Sequence, residues 1–200
     1  MSRLALLEGA KLNLAEVTIL AAGANPIEVD VLMQVFSGFG ARRLRRAEDP
    51  QSARALLERE AIDLFVLDAM MGLEAGMELV RGLRRLPSET RLAPVILAAG
   101  HVQPSLIREA RANGVSYVVA KPLTPRVLFE RLVWVVRDAR AFVETADYAG
   151  PDRRVRALGP PPGMAGRRAD DLPFDVGEAS TPNMSQADID AMMMPVRRAR

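Results

Sequence analysis

Leu64-Phe65-Val66-Leu67-Asp68-Ala69-Met70-Met71-Gly72-Leu73-Glu74-Ala75-Gly76 is the stretch from which the fold can be read. It opens as an apolar run of strand length. It then delivers one carboxylate, Asp68, where the run stops, and passes into a loop that ends at Gly76. A short apolar run bounded by turn residues is the pattern of a strand buried on both faces. In open α/β sheets, ligands and chemistry gather beyond the carboxyl ends of such strands. Asp68 therefore stands where a site would form.

Working outward, Val17–Ala22, Pro94–Ala99 and Ser116–Ala120 read as further buried strands. The arginine-rich run Ala41–Arg46 reads as an edge strand protected by charge. Helices fill the intervals. Asn25 and Pro26 open the first, which puts Glu28, Val31, Leu32, Val35 and Phe36 on one face and stops near Gly38 and Gly40. Asp49 and Pro50 open the second, with Ala53, Leu56 and Leu57 inward. Met77–Leu86 forms the third, and Pro104–Asn113 the fourth, with Leu106, Ile107 and Ala110 inward. Pro125 to about Val143 forms the last. Strand and helix alternate five times with short connections, which predicts an α/β fold: a doubly wound parallel sheet with helices on both faces.

Three regions follow from this pattern. Residues 1–14 are an N-terminal extension in which Leu4, Leu7 and Lys11 share a helical face. Residues 15–143 are the domain. Residues 144–200 are a disordered tail, because Gly159, Pro160, Pro161, Pro162, Gly163 and Gly166 do not hold regular structure. One island, Asn183–Pro195, interrupts the tail, with a short helix expected over 185–194. Ser185 followed by Asp188 resembles a capping box, and Ile189, Met192 and Met193 then stack on one side.

Composition removes several functions. The 200 residues are 49% hydrophobic, enough for a core, but only 4% aromatic, so aliphatic side chains must fill it. No cysteine is present and His101 is the single histidine, which excludes disulfides, thiolate catalysis and Cys- or His-rich metal sites. Lysine occurs only at positions 11 and 121. The net charge is +2, with acids and arginines interspersed as on a solvated surface, so nucleic acid is not the expected partner. No run of about 18 apolar residues exists for a membrane span, and the N-terminus lacks signal-peptide features. The expected location is the cytoplasm.

Asp68 with Met71 and Gly76 behind it, Pro94 before the fourth strand and the Ala120-Lys121-Pro122 turn together resemble the CheY-like receiver domain of response regulators. The resemblance covers about residues 16–140. Asp147-Tyr148-Ala149-Gly150-Pro151-Asp152-Arg153-Arg154 further resembles the DYxGPDRR tail of small stand-alone receivers. The resemblance implies a five-stranded sheet of order 2-1-3-4-5. It also implies that Asp68 holds the position of a phosphoacceptor served by a histidine kinase. Lys121 and Ala99 hold the phosphoryl-contact positions, and Ala99 lacks the hydroxyl the family places there. The acidic pair that binds Mg²⁺ in the family falls on Gly23 and Ala24. Val118 takes the place of the aromatic switch, with Tyr117 one residue early.

Attack of a carboxylate on a phosphoryl group meets negative charge, which Mg²⁺ ordinarily cancels. Without the acidic pair, Asp68 and Lys121 can neutralise each other: at about 4 Å and an effective dielectric of about 20 the gross attraction is roughly 4 kcal/mol before desolvation. The expectation is a pseudo-receiver, an interaction module rather than an enzyme, acting without a cofactor in a phosphorelay or motility pathway. The alternative is a working phosphoacceptor, modified on Asp68 and dependent on Mg²⁺. Glu28 and Asp30, just past the lost pair, are either replacement ligands or a solvated helix face.

Two surfaces point to protein partners. On the last helix, Phe129, Val133 and Trp134 exceed what the sheet can cover and form a candidate partner or homodimer surface. The tail island resembles the SQAEIDALL-type N-terminal peptide of the flagellar motor switch protein, which chemotaxis receivers bind. Ile189, Met192 and Met193 are its candidate docking residues, either on this domain's final face, built from the last two helices and the strand between them, or on another receiver. A histidine kinase, another receiver and a flagellar switch component are the candidate partners.

Overall fold

A computed structural model of the chain describes residues 13–136, 138, 140–153 and 183–193. The expected N-terminal helical face (Leu4, Leu7, Lys11) and the Pro/Gly-rich linker lie outside the described residues.

Five strands, β1 (Thr18–Ala22), β2 (Arg43–Ala47), β3 (Leu64–Asp68), β4 (Val95–Ala99) and β5 (Tyr117–Ala120), form one parallel sheet in the order β2-β1-β3-β4-β5. β1, β3 and β4 are buried along their whole length, as their unbroken apolar runs require. β2 is one of the two edges, and its arginines are ion-paired: Arg43 to Glu16, Arg45 to Glu60, and Arg46 to Asp30 and Glu48. These pairs keep the edge charged and solvated, which discourages further strand pairing.

The crossovers are α1 (Pro26–Gly38), α2 (Pro50–Leu57), α3 (Leu73–Arg84), α4 (Pro104–Ala112) and α5 (Pro125–Val136). The Asn25 side chain caps α1 by accepting from the Ile27 N–H. Asp49 and Ser52 form a reciprocal capping box on α2. α3 starts at Leu73, four residues before the expected Met77, directly after a 3-10 turn over Ala69–Met71.

Two expectations about helix faces and ends need correction. Of the expected α1 face, Leu32 and Phe36 are buried and Val35 is half-buried, but Glu28 and Val31 are exposed and Val29 is buried instead. The helix is turned so that Ile27 and Val31 stand exposed beside the end of β3. The last helix ends at Val136, not Val143. Arg140 turns the chain back: its guanidinium grips Asp138 and donates to the Ser116 carbonyl at 2.7 Å. Phe142–Glu144 (β6) and Ala149–Pro151 (β7) then pair as an antiparallel hairpin, so ordered chain continues past residue 143.

That hairpin accounts for much of the DYAGPDRR stretch. Tyr148 is buried, with its hydroxyl donating to the Pro151 carbonyl and Arg153 stacked over its ring at 4.5 Å. Gly150 crosses Gly114 so closely that a Cβ at 150 would lie 2.8 Å from the Gly114 Cα. Beneath this crossing, the fully buried Arg84 donates to the carbonyls of Gly114, Arg91 and Ala93 and to the Ser116 hydroxyl. Burial lowers its pKa to about 10, and four oxygens in place of a counter-ion keep it charged at neutral pH.

A last helix, α6 (Gln186–Met193), lies against α4 and β5. Ile189 and Met193 are fully buried there and Met192 is half-buried against the same core.

Candidate functional site

Asp68 is the last residue of β3 and is 7% exposed. Both of its carboxylate oxygens are engaged. Oδ1 accepts from the Met70 N–H at 3.0 Å, which fixes the 3-10 turn behind the strand, and Oδ2 accepts from Lys121 Nζ at 2.9 Å. Lys121 follows β5, at the start of a cis Lys121–Pro122 bond. The Asp68–Lys121 pairing expected from the sequence is present.

The pair has a third member. Glu28, in the first turn of α1, also accepts from Lys121 Nζ. The ammonium thus sits between two carboxylates, with its side chain only 18% exposed. Burial works against that charge, but the hydrogen bonds to Asp68 and Glu28 outweigh it, and the Lys121 pKa is raised. Glu28 is here a partner of the lysine, neither a free metal ligand nor a solvated bystander. Asp30 turns away to Arg46 at 2.9 Å.

Positions 23 and 24, onto which the resemblance maps the acidic pair, show how the site is packed. Gly23 is buried, and a Cβ there would stand 3.0 Å from Val29 Cγ2 and 3.2 Å from Asp68 Cβ. Room for a side chain at 23 is therefore lacking unless Val29 or Asp68 moves. Ala24 is exposed. Ala99 is buried, and its carbonyl accepts from the Lys121 N–H at 2.9 Å. Its methyl offers nothing to a phosphoryl oxygen.

The resemblance implies Mg²⁺, but these residues do not fit the ion. Asp68 and Glu28 are both committed to an ammonium, and no third acid joins them: among the described residues no group of three potential ligands converges anywhere. Beside the triad opens a cavity of about 470 Å³ with apolar walls from Ile27, Val31, Leu32 and Leu123. His101 is exposed and bonds the Gln103 side chain at 2.9 Å.

The candidate partner residues on α5 have different neighbours. Phe129 packs edge-on against Phe39 at 5.6 Å, towards the end of α1. Trp134 lies on Tyr117, with ring centroids 4.6 Å apart, and Val133 is half-buried. The ground beside Tyr117 is taken by α6. The Tyr117 hydroxyl donates to Asp190, whose other oxygen is 3.0 Å from Arg131. Gln186 accepts from the Ala120 N–H at 2.9 Å, and Asn183 bonds both Val102 N–H and the Gly100 carbonyl. Burial, then the bond to Asp190, raise the Tyr117 pKa well above the usual phenol value.

The sequence reading named Ile189, Met192 and Met193 but missed Asn183, Gln186, Asp190 and Arg131. Gln186 and Asp190 are spaced i, i+4 beside Ile189, a signal that was available as a polar flank to the apolar stripe.

Comparison with known proteins agrees with this architecture. Residues 19–133 match the family described as the response regulator receiver domain. A sensor histidine kinase, AruS of Pseudomonas aeruginosa, is 37% identical over 82 residues, which cover 40% of this chain and 8% of that protein. The chain thus spans under a tenth of that relative's length. Among solved structures, the chemotaxis response regulator CheY4 of Vibrio cholerae superposes with a TM-score of 0.55 at 22% identity, covering 60% of this chain and 98% of its own. A response regulator from Thermotoga maritima gives 0.54 at 24% identity, covering 64% and 100%. The structural matches carry the fold. The matched span of more than half the chain carries the kinship, and this protein belongs to the response regulator receiver domain family of two-component signalling.

Proposed function

We propose that this protein is a pseudo-receiver: a signalling interaction module in which an internal ammonium takes the place of the divalent cation. The observation that carries the reading is Lys121 Nζ lodged between Asp68 and Glu28 while positions 23 and 24 bear no acid. A tethered cation is always present, so the charge at the strand end is balanced without phosphate or metal. The protein works by binding other proteins in a phosphorelay or motility pathway. Its partners are drawn from histidine kinases, other receivers and flagellar switch components, and homodimers through its final face are included. It is no enzyme, and it acts in the cytoplasm. Among the described residues no helix is long and apolar enough to cross a membrane.

A second reading, a true phosphoacceptor modified on Asp68 by a histidine kinase, draws on one observation. Two carboxylates do converge, and Glu28 is 47% exposed, free to swing towards an ion if Lys121 withdraws. Incubation with acetyl phosphate, with and without Mg²⁺, followed by intact-protein mass spectrometry separates the two. The pseudo-receiver reading expects no phosphoryl adduct in either arm. A Mg²⁺-dependent adduct on Asp68 would establish the second reading.

A further inference from the structure

The contacts of α6 combine apolar burial against the core with a set of polar pins. Its apolar residues Ile189 and Met193 are buried, yet polar pins set its position. Asp190 takes the Tyr117 hydroxyl and the Arg131 guanidinium together. Gln186 holds the Ala120 N–H at the end of β5, and Asn183 holds Gly100 and Val102 in the loop after β4. Arg111 donates to the Met192 carbonyl at 3.1 Å. Eight residues form a helix that is marginal alone in water, so α6 is ordered by docking. Residues 154–182 separate it from the hairpin.

We propose that α6 is an exchangeable intramolecular ligand. It keeps the α4–β5–α5 face closed, and a protein partner enters only by displacing it with a helix of matching chemistry. That chemistry is Gln, Ile, Asp and Met at i, i+3, i+4 and i+7, as in Gln186, Ile189, Asp190 and Met193. The inference stands independently of whether Asp68 accepts phosphate.

Two physical points favour exchange over permanent closure. Tethering holds the helix near its own domain at an effective concentration of the order of a millimolar. A segment that must fold on docking binds weakly for the area it buries, so closure by such a tether is incomplete and reversible. The pins also explain selectivity. An apolar helix without the acid and the amide would leave the Tyr117 hydroxyl, the Arg131 guanidinium and the Ala120 N–H without partners, and so bind poorly.

Docking also reaches the site. Gly100 and Ala120, held by Asn183 and Gln186, are the neighbours of Ala99 and Lys121. The two loops that flank Asp68 are thereby strapped from outside, and release of α6 loosens both.

The test uses the full chain and a fluorescein-labelled synthetic peptide with the sequence of residues 183–193. In the opened variant, Ile189→Asp with Asp190→Ala, the resident helix no longer competes. The peptide is expected to bind this variant about tenfold more tightly than the wild type, the ratio of effective concentration to an intrinsic Kd near 100 µM. The emission of Trp134, the sole tryptophan, is expected to differ between the two free proteins. Adding Tyr117→Phe to the opened variant keeps the ring on Trp134 but removes the pin, and should weaken the peptide about tenfold; circular dichroism confirms that each variant is folded. Equal affinity for wild type and opened variant, or no binding to either, would overturn the proposal.

Discussion

At the scale of single residues, the arrangement turns on one ammonium shared by two acids. Lys121→Met leaves Asp68, nearly buried, with an unpaired oxygen, and stability is expected to fall by about 1–3 kcal/mol. The same substitution frees both carboxylates. The melting temperature of the variant should therefore rise in about 10 mM MgCl₂ while that of the wild type stays unchanged, as linkage requires of an ion that binds only the native variant. A thermal-shift series in both proteins checks this, and an equal response would count against the tethered-cation account. Gly23→Asp approaches the family's acidic pair in name only. Its Cβ would press on Val29 and Asp68, so it is expected to destabilise by about 1–3 kcal/mol and to restore no metal affinity, as denaturant melts and calorimetry would show.

The Asp68–Lys121 pair was legible in the sequence. Asp68 and Lys121 stand at the ends of apolar runs, and the parallel register brings those ends together. Glu28 was not assigned, because its bond to Lys121 spans 93 positions and depends on how α1 is turned. That turn was misjudged for a definite reason. Val31 is apolar but exposed, so helical spacing placed it on the buried face with Leu32 and Phe36, where Val29 lies instead.

At the scale of elements, strands were easier to read than chain ends. β1, β3 and β4 are buried on both faces, and nothing competes with their apolar runs. The end of α5 was misplaced because helical spacing continues to Val143, whereas Arg140 and the hairpin, both tertiary contacts, end the helix at Val136. Gly150 and Pro151 fell within the tail expected to be disordered, but the glycine is required where two backbones cross. Gly150→Ala would set a methyl against Tyr148 and Gly114. We expect a loss of about 1–3 kcal/mol and faster hydrogen exchange at β6 and β7; an unchanged melt would mean the hairpin is not part of the folded unit.

α6 brings a pH dependence at the same scale. The Tyr117 pKa is raised by burial and by Asp190, so the neutral phenol is the form that the folded state prefers. A group raised on folding contributes fully below its unfolded value, about 10 for tyrosine, and the contribution is lost as pH rises through the folded value. Lys121, also raised, acts in the same direction and in the same alkaline range. Docking and stability should thus hold through neutral pH and decline above about pH 10. Trp134 emission followed from pH 7 to 12 reports the undocking. In Tyr117→Phe the alkaline step should shrink to the share owed to Lys121 and to Tyr148, whose pKa burial also raises; a step of the same size in both proteins would remove Tyr117 as its source.

At the scale of the whole molecule, the receiver fold pairs its strand-end charges with one another. The sheet still delivers Asp68 and Lys121 to one end, but the charge balance is internal. The final face is still exposed by the sheet's topology, but the chain's own α6 covers it. Arg84, Tyr148 and the Gly114–Gly150 crossing tie the hairpin to the loops at the opposite end. The result is a receiver whose two contact regions, strand ends and final face, are both occupied by its own side chains.

The central claim is that Lys121 stands in for the divalent ion, and calorimetric titration of the wild-type protein with Mg²⁺ at neutral pH tests it most directly. The account predicts no saturable heat up to about 10 mM, because each carboxylate is already paired. Saturable binding at micromolar Mg²⁺, abolished by Asp68→Asn, would contradict it.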